Sequence, residues 1–164
     1  MTKIFLVLGF VILTSCVTTC AQQLSIPNDW HKVDAGGYFS FYLPPSFKFK
    51  SGERCQECSW GSRFDNKRIR LYAEYTSWND EYAAQYLAQQ SECLKTVAEV
   101  AGKRVKIQSW RSQEFARGFS YKAEARFYDA DGTLVVARLS ANCKGRPDVD
   151  VAKQIFMTVS EFKP

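Results

Sequence analysis

Along this chain the apolar residues recur mostly at every second position, and only two stretches shift to a helical period. In Tyr38–Leu43, Phe39, Phe41 and Leu43 fall on one side and Tyr38, Ser40 and Tyr42 on the other. That is the pattern of a half-buried strand, and Pro44-Pro45 stops it. Ser59–Phe64 and Lys67–Thr76 flank Asp65-Asn66, which predicts a hairpin. Its second arm alternates most clearly, with Ile69, Leu71, Ala73 and Tyr75 against Arg68, Arg70, Tyr72, Glu74 and Thr76. One face of this arm is expected to pack and the other to meet water.

At Asn79 the period changes. Asn79 suits an N-cap, Asp80 and Glu81 suit a first helical turn, and Tyr82, Ala83, Tyr86, Leu87 and Gln90 make one stripe, so a helix is expected to about Glu92. Alternation returns in Leu94–Val100, and Gly102-Lys103 turns the chain into a strand over Arg104–Arg111. A further strand is expected over Tyr121–Tyr128. Asp129-Ala130-Asp131-Gly132 is a turn signal before Thr133–Ser140, a strand apolar on both faces and therefore expected at the centre of a sheet. Pro147-Asp148 opens a terminal helix whose buried stripe is Ala152, Ile155, Phe156 and Val159. The predicted core comprises Phe39, Phe41, Leu43, Ile69, Leu71, Val135, Ala137, Leu139, Ile155 and Phe156. Strands, a helix, more strands and a closing helix predict an α+β fold, a twisted, mainly antiparallel sheet with helices packed on it. Residues 36–164 form that single domain, after an export signal over 1–21 and a lead-in over 22–35.

The aromatic strand Tyr38-Phe39-Ser40-Phe41-Tyr42-Leu43-Pro44 resembles a feature of small exported domains of the PsbP-like superfamily. So do the Val100-Ala101-Gly102-Lys103 turn and the closing Ala152–Phe162 segment. The similarity spans roughly Gly36 to Phe162 in element order. It implies an α/β/α sandwich, the absence of catalysis and an assembly or accessory role; no functional residue of the superfamily maps onto this chain.

The N-terminus changes the picture from fold to address. Lys3 precedes an unbroken apolar run of ten residues, Ile4–Leu13, too short to span a bilayer as a helix and laid out like an export signal. Two cleavage readings stand side by side. Leu13-Thr14-Ser15-Cys16 resembles a bacterial lipobox, in which Cys16 is acylated and tethers the chain to a membrane. Thr19-Cys20-Ala21 before Gln22 resembles an ordinary signal-peptidase site, which releases it. Both place the mature chain outside the cytoplasm, periplasmic, secreted or lipid-anchored in a bacterial envelope. Cleavage after Ala21 leaves Cys55, Cys58, Cys93 and Cys143, an even set suited to disulfides. The favoured scheme joins Cys55 to Cys58 and Cys93 to Cys143.

The 164 residues carry 22 Lys and Arg against 17 Asp and Glu, and one histidine, His31. A lone histidine excludes sites built on two imidazoles. Cys55-Gln56-Glu57-Cys58 has the spacing of a redox motif, yet Ser59-Trp60-Gly61-Ser62 and a strand follow it, not the helix that lowers a thiol pKa. A structural disulfide is the preferred reading, and an extracytoplasmic thiol-redox protein using Cys55 and Cys58 is the alternative. A four-thiolate zinc site lacks its second C-x-x-C knuckle. The Asp129–Gly132 echo of a calcium loop lacks the closing glutamate, Ser140 standing in its place. No metal, cofactor or complete catalytic set is expected. The remaining candidate is a basic, aromatic sheet face of Arg68, Arg70, Tyr72, Lys106, Trp110, Lys122 and Arg126, with Tyr128 near and Glu74 and Glu124 interrupting it. Such a face binds single-stranded nucleic acid in other settings. Outside the cytoplasm an envelope protein or glycan is the expected partner, not nucleic acid, and membrane contact arises only through an acylated Cys16. The sequence therefore points to a non-catalytic exported binding or accessory domain.

Overall fold

A computed structural model describes residues 25–53, 60–79, 94–111 and 118–163. Among these, ten strands and one helix form two antiparallel sheets. The strands are β1 (His31–Ala35), β2 (Phe39–Leu43), β3 (Lys48–Glu53), β4 (Trp60–Asp65), β5 (Ile69–Asn79), β6 (Leu94–Val100), β7 (Lys103–Arg111), β8 (Tyr121–Tyr128), β9 (Leu134–Cys143) and β10 (Glu161–Phe162). The helix, α1, is Arg146–Met157. A small sheet has the order β1-β2-β10, and a seven-stranded sheet the order β3-β4-β5-β9-β8-β7-β6. The large sheet is two meanders, β3-β4-β5 and β6-β7-β8-β9, joined along one seam where β5 lies against β9.

This architecture corrects the α+β expectation of an α/β/α sandwich. The chain is mostly strand, and one helix of 12 residues stands among the described residues, beside a second sheet instead of a second helical layer. The small sheet arises from segments whose alternation is short or impure. His31–Ala35, read as lead-in, pairs with β2 from His31↔Leu43 to Ala35↔Phe39, and the two residues of β10 close its other side. The β5 strand also runs through Asn79, the expected N-cap. The stripe expected from Tyr82 to Gln90 lies outside the described residues, as do the export signal and Cys16, Cys55, Cys58 and Cys93.

All ten predicted core residues are buried, each at 2% exposure or less. Val149, Ala152, Ile155 and Phe156 of α1 pack with Ile69, Leu71 and Ala73 of β5, Ala123, Ala125 and Phe127 of β8, and Ala137, Leu139 and Ala141 of β9. Alanines dominate the middle strands at these positions, which lets α1 approach the sheet closely. The small sheet packs on the large one through aromatic contacts, Phe41 edge-on to Phe64, Phe162 against Phe127, and Tyr38 stacked on Tyr75 at 4.0 Å. Thr158 fastens the end of α1 to β2: its Oγ1 donates to the Ile155 carbonyl (2.7 Å) and accepts from the Tyr42 amide (2.9 Å).

The N-terminus of α1 is held by a carboxylate. Asp148 accepts the Gly145 amide at 2.8 Å and receives Arg68 through Nε at 2.6 Å and Nη2 at 3.1 Å. A negative group at this end also meets the positive pole of the helix. The Asp129–Gly132 segment is a hairpin turn. Asp129 Oδ1 accepts the amides of Thr133 (2.8 Å) and Leu134 (3.2 Å). Desolvation pushes this carboxyl up, but those amides and the Thr133 hydroxyl outweigh it, so Asp129 titrates below the ordinary carboxylate value.

Candidate functional site

The antiparallel register decides which polar residues meet on the face of the large sheet opposite α1. Three rows cross the strands there. The first runs Asp65–Arg70–Asn142–Lys122–Trp110, the second Arg63–Tyr72–Ser140–Glu124–Gln108–Lys95, and the third Glu74–Arg138–Arg126–Lys106–Val97. Six of the seven residues expected to form a binding face therefore lie on one side of the sheet. Arg70, Lys122 and Trp110 stand in the first row, Tyr72 in the second, and Arg126 and Lys106 in the third. Arg68 does not join them; it precedes β5 and its guanidinium is committed to Asp148 of α1.

The middle of this face is buried. Arg126 is 5% exposed, Glu124 9% and Trp110 5%. Arg126 Nε donates to Glu124 Oε1 at 2.6 Å, Arg138 binds Glu74, and Arg138 Nη1 lies 3.9 Å from Glu124 Oε2. Charges of like sign side by side around a buried one (half-buried Arg138 opposite buried Arg126 opposite half-buried Lys106) require such compensation. Glu74 and Glu124, read as interruptions, supply it. Lys106 in turn lies over the Tyr128 ring at 4.6 Å. The centre of this face is thus an internally paired ladder, and its Trp110 and Arg126 are not presented to a ligand.

The β4–β5 corner differs. Arg63 and Arg70 flank one carboxylate, Asp65, at 3.3 and 3.5 Å. These are ion-pair distances, but the N–H directions miss: Arg63 Nε, Arg70 Nε and Asp65 Oδ1 form no hydrogen bond. The two arginine side chains are 30% and 24% exposed, Arg70 lies over the Phe119 ring at 5.2 Å, and half-buried Tyr72 stands opposite Arg63. Two guanidiniums sharing one carboxylate leave a local positive charge, carried by side chains on adjacent paired strands. That arrangement suits a planar or tetrahedral anion. Arg63, Asp65, Phe119 and Arg138 were not singled out from the sequence. The alternation of Gly61, Arg63 and Asp65 against Ser62 and Phe64 was the available signal for the first two.

The nucleophile candidates fare differently. Cys143 is a free, fully buried thiol between Ile69 and Tyr121, and burial pushes its pKa up to about 12, so it is no thiolate at neutral pH. Its expected partner Cys93 lies outside the described residues, as does the Cys55–Cys58 motif. His31 is exposed on β1, on the small sheet. Among the described residues, no three His, Cys, Asp or Glu side chains gather into a metal-binding group. A scan against protein-family models finds no match to this chain, and a search of curated proteins finds none either.

Proposed function

We propose that this chain acts outside the cytoplasm as a non-catalytic binding or accessory domain, and that its β4–β5 corner takes an anionic group of an envelope protein or glycan. The observation that carries this reading is the sharing of the single carboxylate of Asp65 by Arg63 and Arg70, whose side chains remain 30% and 24% exposed. A carboxylate or phosphate offered by a ligand meets the exposed part of these two side chains, and Tyr72 and Phe119 provide flat surfaces beside them. The apolar run Ile4–Leu13 agrees with export.

Titration calorimetry against acidic polysaccharides and their neutral counterparts tests the reading. Arg63→Ala and Arg70→Ala should each weaken binding by about tenfold or more, while Lys153→Ala on α1 leaves it unchanged. Equal affinity for neutral and acidic ligands, or indifference to both arginine changes, would refute the proposed site. Intact-mass analysis of the protein from its host separates a chain beginning at acylated Cys16 from one beginning at Gln22. An unprocessed Met1 would defeat the export reading.

A further inference from the structure

Among the described residues the large sheet has two open edges, and they are protected unequally. At one edge β3 carries Lys48 and Lys50, and its register with β4 slips between Phe49 and Ser51, a bulge that spoils pairing with another chain. At the other edge β6 pairs with β7 through seven consecutive positions, Leu94↔Ser109 to Val100↔Lys103, without a slip. It contains no proline. Val97 is 62% exposed and Leu94 57%. Among the described residues no strand lies on its outer side.

The β6–β7 turn fixes which backbone groups face outward. Ala101 (φ 50°) and Gly102 (φ 72°) are the two left-handed residues of a two-residue hairpin, so Val100 and Lys103 exchange both their hydrogen bonds. Counting back, Val100, Ala98, Thr96 and Leu94 point their amides and carbonyls at β7. Glu99, Val97 and Lys95 point theirs at the open edge.

We infer that β6 is a self-pairing edge, through which two copies of this chain associate about a two-fold axis at Val97. An antiparallel pairing centred there sets Val97 against Val97 of the second copy, and Lys95 against Glu99 twice over. All are outward-facing positions on the same side of the sheet. On the other side it sets exposed Leu94 against Val100 and Thr96 against Ala98. Moving the centre by one residue either way places Lys95 or Glu99 against Val97 and loses both ion pairs. Charge complementarity therefore selects one register among those the backbone allows. The product is a continuous sheet running through both copies, the usual outcome of strand addition at an unprotected edge.

Sedimentation equilibrium of the purified, host-processed protein over roughly 1–500 µM tests this. A monomer–dimer equilibrium that weakens with added salt is expected. Lys95→Glu and Glu99→Lys should each weaken the dimer by about tenfold or more, since like charges then oppose twice. An equimolar mixture of the two variants should associate again, because each supplies the charge the other lacks. Val97→Pro removes an amide that points outward, so it should abolish the dimer while circular dichroism and the melting temperature show a folded monomer. A monomer throughout the range overturns the inference. So does a dimer that survives Val97→Pro, or one indifferent to both reversals.

Discussion

Leu71, Leu139 and Ala125 lie on one face of the large sheet, and Tyr72, Arg138 and Arg126, their neighbours along the same strands, on the other. Both faces are buried near the middle, yet they are buried by opposite means. The α1 face excludes polar groups and is closed by aliphatic and aromatic packing, whose stabilisation scales with area and tolerates repacking. The opposite face buries charge at its centre, where Arg126, Glu124, Arg138 and Glu74 are paired with one another across neighbouring rows of the register. Apolar burial makes the chain fold, whereas the ladder of Glu74, Arg138, Glu124 and Arg126 penalises any slip of β5, β9 and β8 past one another.

The comparison breaks first on the apolar side. Phe156→Ala opens a void where α1 meets the sheet and should cost roughly 3–5 kcal/mol in urea denaturation. A cost under about half a kcal/mol would mean that α1 contributes nothing to the core. On the charged side, Arg126→Ala strands a buried carboxylate and should cost about 3 kcal/mol. The double change Glu124→Leu with Arg126→Leu should cost less than Arg126→Ala alone, which no pair of independent apolar sites would show. A double variant as unstable as its two single changes summed would deny the coupling.

Smaller effects sharpen the contrast at the periphery. Asp148→Ala removes the acceptor for the Gly145 amide and the anchor for Arg68, and should cost about 1–2 kcal/mol, read as a lowered melting temperature. The smallest effect concerns the small sheet, where Lys32 reaches Glu161 (2.8 Å) and Lys163 reaches Asp34 (2.7 Å) across β2. The hydrogen bond from Lys163 first, then the Gly37 amide, lowers the Asp34 carboxyl below its ordinary 3.8, and Lys32 lowers Glu161 below 4.5. Depressed carboxyls contribute stability that is full above those ordinary values and is lost as the pH falls through the lower folded-state ones. Lys32→Ala with Lys163→Ala should therefore lower the melting temperature slightly at pH ~6 and match the parent chain at pH ~2. A gap that persists in acid would place the effect in packing.

The sequence pattern was informative where one periodicity ran long enough to be unambiguous. The alternation of β5 from Ile69 to Thr76 and the stripe of α1 announced themselves, and with them the core, whereas the last residues of β5 did not. The small sheet did not, because β1 is five residues with a single buried position and β10 is two. Such strands are specified by the neighbours they pair with. The charged face was legible as a set of residues, since strand parity alone assigns them to one side. Its partition into a paired centre and an under-satisfied corner was not, because that depends on which strands are adjacent. β5 and β9 are far apart in the chain, and only their pairing brings Arg138 to Glu74. In β9, Arg138 was masked by the apolar residues around it, Val135, Val136, Ala137 and Leu139.

The β5–β9 seam has a kinetic meaning. Every other junction of the large sheet joins strands that follow one another in sequence, so each closes a short stretch of chain and is expected within microseconds of collapse. The seam alone brings Ile69 to Cys143 and Tyr75 to Ala137, across a stretch that includes all of β6, β7 and β8. Its loop-closure entropy must be overcome before any of its contacts form, which makes it the slow step. Until it forms, the two meanders are separate bodies, each with a naked inner strand. The lifetime of that half-assembled state is the window in which the chain is open to wrong partners.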